Sequence, residues 1–363
     1  MTAGPPHPTF DPNAGQSMPP APPPPAPPQP WQNYPPQNYP QPMPPLWLPL
    51  APLPVLPVRP AEYHQVLTGP RARWWKPIAS GALTAVLWMG AMAVVSVSLI
   101  LAGVAGGASL NDPLALDMGN PLTFAGTNLM LAAAIPATVL GTWAVHRVRP
   151  SFVGSVLGRI RWRWMGRCAL VLTPLWIAYL AATFFIPVPS GPDAPASTEF
   201  VLDPQPHWPI LIALTLLTTP LQSAGEEVFF RGWIMQNVGV WIRQPRIALA
   251  VSSVLSAVLF SLAHGSLDPW LLLDLMVFAV AMTLMTWRTG GLEAAIVLHA
   301  VNNVIGIGLS IALGQLSSAF IDTDSASTPL QTSVSAVALA VATAVVWRMA
   351  DRHRIARVTE PAT

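Results

Sequence analysis

From Ile78 onward the chain is a succession of apolar runs, each about 17–25 residues long and bounded by short polar stretches. A helix of that length crosses a hydrocarbon layer of roughly 30 Å. The runs fall at 78–103, 121–145, 168–187, 208–230, 247–264, 270–287, 292–313 and 330–349. They predict an all-α fold, a polytopic membrane helix bundle with about eight transmembrane helices. Ahead of them the pattern changes. Of the 43 prolines, 24 precede residue 61, among them Pro22-Pro23-Pro24-Pro25, and Gln32-Asn33-Tyr34-Pro35 is repeated as Gln37-Asn38-Tyr39-Pro40. Such sequence favours extended polyproline II and lacks the apolar surface for a core, so residues 1–70 are expected to be a disordered tail. That tail is either a solvated tether or a ligand for the aromatic-lined groove of a cytoplasmic module. The rest divides into helices one to three with their loops (71–204), a membrane core (205–315), and the last helix with a basic tail (316–363). The first apolar run starts too far along for a cleavable leader, so the first helix is expected to serve as the targeting signal.

Composition agrees with the pattern. Hydrophobic side chains make up 52% of the 363 residues and charged ones 9%, where soluble proteins carry roughly 25%. Mean hydropathy is +0.47. A multi-pass integral protein of the cell membrane is expected, with membrane lipids as its surroundings. The net charge of only +2 argues against nucleic acid as a partner. The single cysteine, Cys168, rules out an internal disulfide framework and a cysteine-rich zinc site, and is expected to be a small core residue.

Charge matters by position. All 18 Lys and Arg fall before the first run, between the second and third, fourth and fifth, or sixth and seventh, or at and after the end of the eighth. The alternate loops hold only acids, among them Asp112, Asp193, Asp268 and Asp322. By the positive-inside rule both the N- and the C-terminus are cytoplasmic. Trp74, Trp75, Trp143, Trp208, Trp270, Trp287 and Trp347 stand at run boundaries, where interfacial tryptophans belong. The Arg147–Arg167 loop, with Trp162 and Trp164 among its arginines, is expected to lie on anionic headgroups. His146, His207 and His353 are read as interfacial and solvated.

Ionisable groups inside membrane helices cost about 2.5–3.5 kcal/mol each on insertion scales, so those that occur are candidate sites. They are Glu226 and Glu227 in the fourth run, His264 at the end of the fifth, Asp274 in the sixth, and His299 in the seventh beside Asn302 and Asn303. Glu227 and Arg231 are four residues apart, as are Phe260 and His264, and His299 and Asn303, so each pair shares a helix face. Two imidazoles and a carboxylate can hold a metal ion with one position open, or activate a water by general-base catalysis. Adjacent glutamates point about 100° apart, so one can face a reacting water while the other holds Arg231. Asn303 offers donors to a developing oxyanion. No serine or cysteine stands out as nucleophile, which leaves water and hydrolysis. A polar network in a transporter, or an inactive scaffold, would use the same residue types.

Three motifs carry a resemblance. Glu226-Glu227-Val228-Phe229-Phe230-Arg231, Phe260-Ser261-Leu262-Ala263-His264 and His299-Ala300-Val301-Asn302-Asn303 resemble, in this order, those of CPBP intramembrane proteases. That family includes CAAX prenyl endopeptidases, lysostaphin-resistance-like proteins and bacteriocin-immunity (Abi) proteins. The resemblance covers roughly 205–315. It implies an intramembrane endopeptidase acting on a peptide or membrane protein, with a prenylated C-terminus or a bacteriocin-related chain as substrate. In that assignment Glu226 and His264 activate water, Glu227 and Arg231 support the site, and His299 with Asn303 stabilises the oxyanion; Phe260 packs on His264. The family was long described as metalloproteases, whereas a metal-free glutamate mechanism fits its residues as well. A zinc ion, where present, would take Glu226, His264 and His299.

Depth poses a problem for this set. At 1.5 Å per residue a helix starting at Arg246 carries His264 about 27 Å from that end, while Glu226 and His299 lie nearer the cytoplasm. The residues meet only if the hairpin at Gly265–Pro269 turns below the outer surface, or if 221–243 is a longer helix that takes the glutamates deeper.

Overall fold

The computed structural model describes residues 53–107, 117–183 and 202–360. Ten α-helices carry them: α1 (Lys76–Ala105), α2 (Pro121–Ala132), α3 (Ala134–His146), α4 (Trp162–Thr183), α5 (Trp208–Glu227), α6 (Met235–Trp241), α7 (Pro245–Leu262), α8 (Pro269–Thr289), α9 (Glu293–Ala312) and α10 (Pro329–Arg352). A π-helical turn, Val228–Ile234, joins α5 to α6 without a break. Among the described residues no strand forms beyond isolated bridges such as Ser155 with Gly291.

Several helices start at a polar residue followed by proline. Asn120, Gln244, Asp268 and Thr328 each accept a backbone N–H of the first turn, and the proline after each lacks the N–H that would otherwise be orphaned there. Asp268 stands outside the spans, and the Leu271 and Ser327 N–H groups hold its carboxyl below the usual range.

Among the described residues, seven helical segments are long and apolar enough to cross a membrane, with α2 and α3 counted as one. The eighth expected crossing, 208–230, is helical but more polar, because Gln222, Ser223, Glu226 and Glu227 occupy its second half. The expected single helix over 121–145 is also corrected: it breaks at Ala133. Pro136 explains this, since it cannot donate to the Ala132 carbonyl and its ring crowds that group. Pro174 and Pro220 leave α4 and α5 continuous. At the centre, α5 packs along α2 and α9; α9 packs on α4, and α8 lies between α7 and α10. The peripheral α1 turns Val86, Met89, Val94, Val97 and Leu101 outward.

The expected disordered tail ends earlier than residue 70. Residues 1–52, with the site expected to bind a cytoplasmic module, lie outside the described residues, but 61–67 form a strap packed on the bundle. Tyr63, His64, Val66 and Leu67 are buried. The Tyr63 hydroxyl donates to the Val153 carbonyl, His64 Nε2 lies 2.9 Å from the Pro245 carbonyl, and the Ala61 and Thr359 segments exchange hydrogen bonds. Burial pushes the His64 imidazole below its ordinary value. The tail reading failed here because Tyr63, Val66 and Leu67 are apolar side chains within polar, proline-punctuated sequence.

Two further expectations are corrected. His146 is buried, with Nε2 3.1 Å from Asn237 Oδ1, and Trp164 lies in the core, while Trp162 is exposed. Arg161 does not face headgroups. It donates from Nε and from its second terminal nitrogen to the buried Glu293 at 2.8 and 2.6 Å, and from the first to the carbonyls of Thr289 and Ala356. This clamp ties the loop before α4 to the α8–α9 corner and the C-terminal tail. Cys168 is buried in the core.

Candidate active site in the membrane core

The helix that carries the glutamates is longer than the sequence pattern indicates. From Trp208 to Trp241 it runs for 34 residues, about 51 Å at 1.5 Å per residue. Measured from the turn at 242–244, Glu226 lies about 24 Å up this helix and His264 about 30 Å up its neighbour α7. The second alternative, glutamates carried deeper, is the one realised.

At that level α5 and α9 face each other. Glu227 is fully buried, and its Oε1 accepts from Arg231 at 2.9 Å and lies 2.7 Å from His299 Nδ1. Arg231 lies within the π turn that starts directly after Glu227, and such turns occur frequently at functional sites. Arg231 is itself fully buried, its guanidinium 4.5 Å from the centre of the Phe260 ring, with Nε and one terminal nitrogen unpartnered. His299 Nε2 faces Glu226 Oε2 at 3.7 Å, so the imidazole sits between the two carboxylates. The rings of Phe260 and Phe278 meet it edge to face at 5.9 and 5.2 Å. The buried guanidinium of Arg231 supplies the counter-charge that a carboxylate sealed in a low dielectric requires.

Glu226 is the open member of the pair, with 12% of its side chain exposed where Glu227 has none. It accepts from Gln222 Nε2. The Gln222 carbonyl oxygen accepts from Asn303 at 3.2 Å and from Ser223 at 3.2 Å. Asn302 donates to Asn303 Oδ1 at 3.0 Å and accepts from Trp176 Nε1 at 3.0 Å. An amide chain thus links α4, α9 and α5 and ends on the Glu226 carboxylate.

Of the sequence candidates, Glu226, Glu227, Arg231 and His299 come into direct contact, and Asn303 joins through Gln222. His264 stands apart. It is half-buried, packed at a tilt on Phe260 with ring centres 4.7 Å apart, and reaches the cluster through that ring. Its Nδ1 lies 2.8 Å from the Phe260 carbonyl, which can only accept, so the neutral ring keeps Nε2 free as a base. Asp274 lies elsewhere in α8 with one carboxylate oxygen buried and unpartnered. Gln222, Trp176 and Phe278 were missed. Gln222 stands four residues before Glu226, a helical spacing that marks it in the sequence, but Trp176 and Phe278 arrive from distant segments.

The zinc expectation does not fit this arrangement. Among the described residues no three His, Cys, Asp or Glu side chains are placed to hold a metal ion. Both ring nitrogens of His299 face glutamates, and His264 touches neither of the other two proposed ligands.

Residues 206–305 match the family described as type II CAAX prenyl endopeptidase Rce1-like. Over 98 residues, 26% of this chain, the sequence is 30% identical to the uncharacterized protein YyaK of Bacillus subtilis (strain 168). The match spans 32% of that relative, so the chain covers about a third of the curated relative's length. No solved structure matches. The matched segment holds all three motifs and lies within a multi-pass bundle, so the membrane core of this chain is similar to the Rce1-like CAAX protease family.

Proposed function

We propose that this protein is an intramembrane endopeptidase in which Glu226 activates water for attack on a peptide carbonyl. The observation that carries this reading is the unequal environment of two adjacent carboxylates: Glu227 is buried and neutralised by Arg231, while Glu226 is partly open and held by Gln222. Glu227 orients His299 through Nδ1 and leaves Nε2 on the open side. In the reaction Glu226 takes a proton from water as the oxygen adds to the carbonyl carbon. The carbonyl π electrons move onto oxygen, where protonated His299 Nε2 and the Asn303 amide can donate. Collapse breaks the C–N bond, and Glu226 returns its proton to the leaving amine. The long Asn303 hydrogen bonds are weak enough to be exchanged for contacts to an oxyanion.

The substrate is a peptide segment or membrane protein that enters from the bilayer, and a prenylated C-terminus is the class the family description names. The deciding experiment is peptide cleavage by the full chain reconstituted in lipid. Glu226→Gln preserves shape and most hydrogen bonding but removes the base, so hydrolysis should fall by about 10² or more while substrate still binds. Equal cleavage by this variant would remove Glu226 from its role. A wild type that yields no product from prenylated or unprenylated peptides would favour the transporter or scaffold reading.

A further inference from the structure

A cavity of about 610 Å³ lies away from the glutamates, between the strap that precedes α1 and the end of α6. Arg73, Arg243, Trp74, Trp241, Gln65 and Thr68 are among its walls. It lies at an end of the bundle, beside the start of the apolar span α1 at Lys76 and the end of α6 at Trp241, and the two tryptophans on its wall are of the kind found at membrane interfaces. Trp241 Nε1 donates to the Trp74 carbonyl at 2.7 Å and fixes the two sides against each other. A Cβ at Gly239 would overlap the His64 carbonyl, so the close approach that shapes this region depends on glycine there.

The charge around the cavity is of one sign. The charges that act on Lys76 are those of Arg73, Arg71 and Arg147. None of Arg71, Arg73, Lys76, Arg147 or Arg243 takes part in an ion pair among the described residues. Arg73 spends one terminal nitrogen on the carbonyls of Pro70 and Ala72, which steadies the guanidinium and leaves its other N–H groups free. Unpaired arginines flanked by interfacial tryptophans call for an anion at headgroup depth. The chain's own preceding segment is a poor occupant, because residues 1–52 contain one acid, Asp11.

We propose that this cavity binds the phosphate-bearing headgroup of an anionic phospholipid, held by Arg73 and Arg243 between Trp74 and Trp241. The test uses purified, delipidated full-length protein titrated with phosphatidylglycerol or phosphatidylcholine of identical acyl chains, with bound lipid counted by native mass spectrometry. Phosphatidylglycerol should bind at least roughly tenfold more tightly, and Arg73→Gln with Arg243→Gln should weaken it on the order of 10–30-fold. Arg348→Gln with Arg352→Gln, which removes equal charge from exposed positions on α10, should leave that affinity unchanged. Melting curves report folding. If the first pair fails to fold, Arg243→Gln alone should still weaken binding by roughly fivefold. Undiminished binding in the folded Arg73/Arg243 variants, or an equal loss in both pairs, overturns the proposal. So does displacement of the lipid by excess inorganic phosphate, which would make free phosphate the ligand.

Discussion

Glu226 and Glu227 are chemically identical and adjacent, yet their surroundings give them opposite tasks. Glu227 is enclosed with Arg231, so Glu227→Gln leaves a guanidinium buried without a counter-charge. Breaking a buried pair from one side costs about 3–5 kcal/mol. Glu227→Gln should therefore lower the melting temperature of the detergent-solubilised protein markedly, and Glu226→Gln should leave it near wild type. A Glu227→Gln protein that melts with wild type would show that the pair is not structural. Asn303→Ala, which removes one oxyanion donor, should reduce turnover by roughly 10²–10³ with a small effect on melting. A change confined to substrate binding would instead place Asn303 in recognition. The helical spacing of Glu227 with Arg231 and of His299 with Asn303 was legible because it depends only on residues within a turn. That His299 lies between both carboxylates was not, since 72 residues separate it from Glu227.

At the scale of elements, the continuous helix through α5, the π turn and α6 decides where the site lies. The sequence pattern ended the run at residue 230, whereas the helix continues through the π turn and α6 to Trp241. The broken helix α2–α3 serves the same end. The last turn of α2, just before the break, crosses α5 at Gly225, where a Cβ would overlap the Leu131 carbonyl oxygen. Backbone cannot yield as a flexible side chain does, so Gly225→Ala should push α5 away from α2, at about 1–3 kcal/mol, and displace the adjacent glutamates. Cleavage should fall far more than the modest loss of stability accounts for. A Gly225→Ala enzyme with wild-type turnover would show that the close crossing is dispensable.

At the scale of the whole molecule, the segregation of Lys and Arg predicts orientation. The loop between α3 and α4 should be cytoplasmic and the loop between α9 and α10 external. Cysteines at exposed Ser151 and Thr323 report the two sides, with the native Cys168 buried and silent. An impermeant thiol reagent added to intact cells should label Thr323→Cys and spare Ser151→Cys; the reverse pattern would invert the topology. On the expected cytoplasmic side three devices hold the bundle's end together. They are the 61–67 strap, the Arg161–Glu293 clamp, and Arg357, which pairs with Glu62 at 2.5 Å and lies over the Trp287 ring.

The sequence by itself determined the helical membrane architecture, because the bilayer demands long apolar helices that satisfy their own backbone. It also determined the chemical inventory, since in such helices each ionisable residue is costly enough to stand out. Tertiary structure alone decided that Glu227 is sealed and Glu226 open, that Gln222 and Asn302 complete the amide chain, and that His264 stands behind Phe260. It also decided that residues 61–67 pack and that Glu293 closes on Arg161. These outcomes depend on which helices touch and how far each is shifted along its axis, and that is set by packing between segments distant in the chain. Local periodicity carries the direction of a side chain on its own helix, and no information on what it meets.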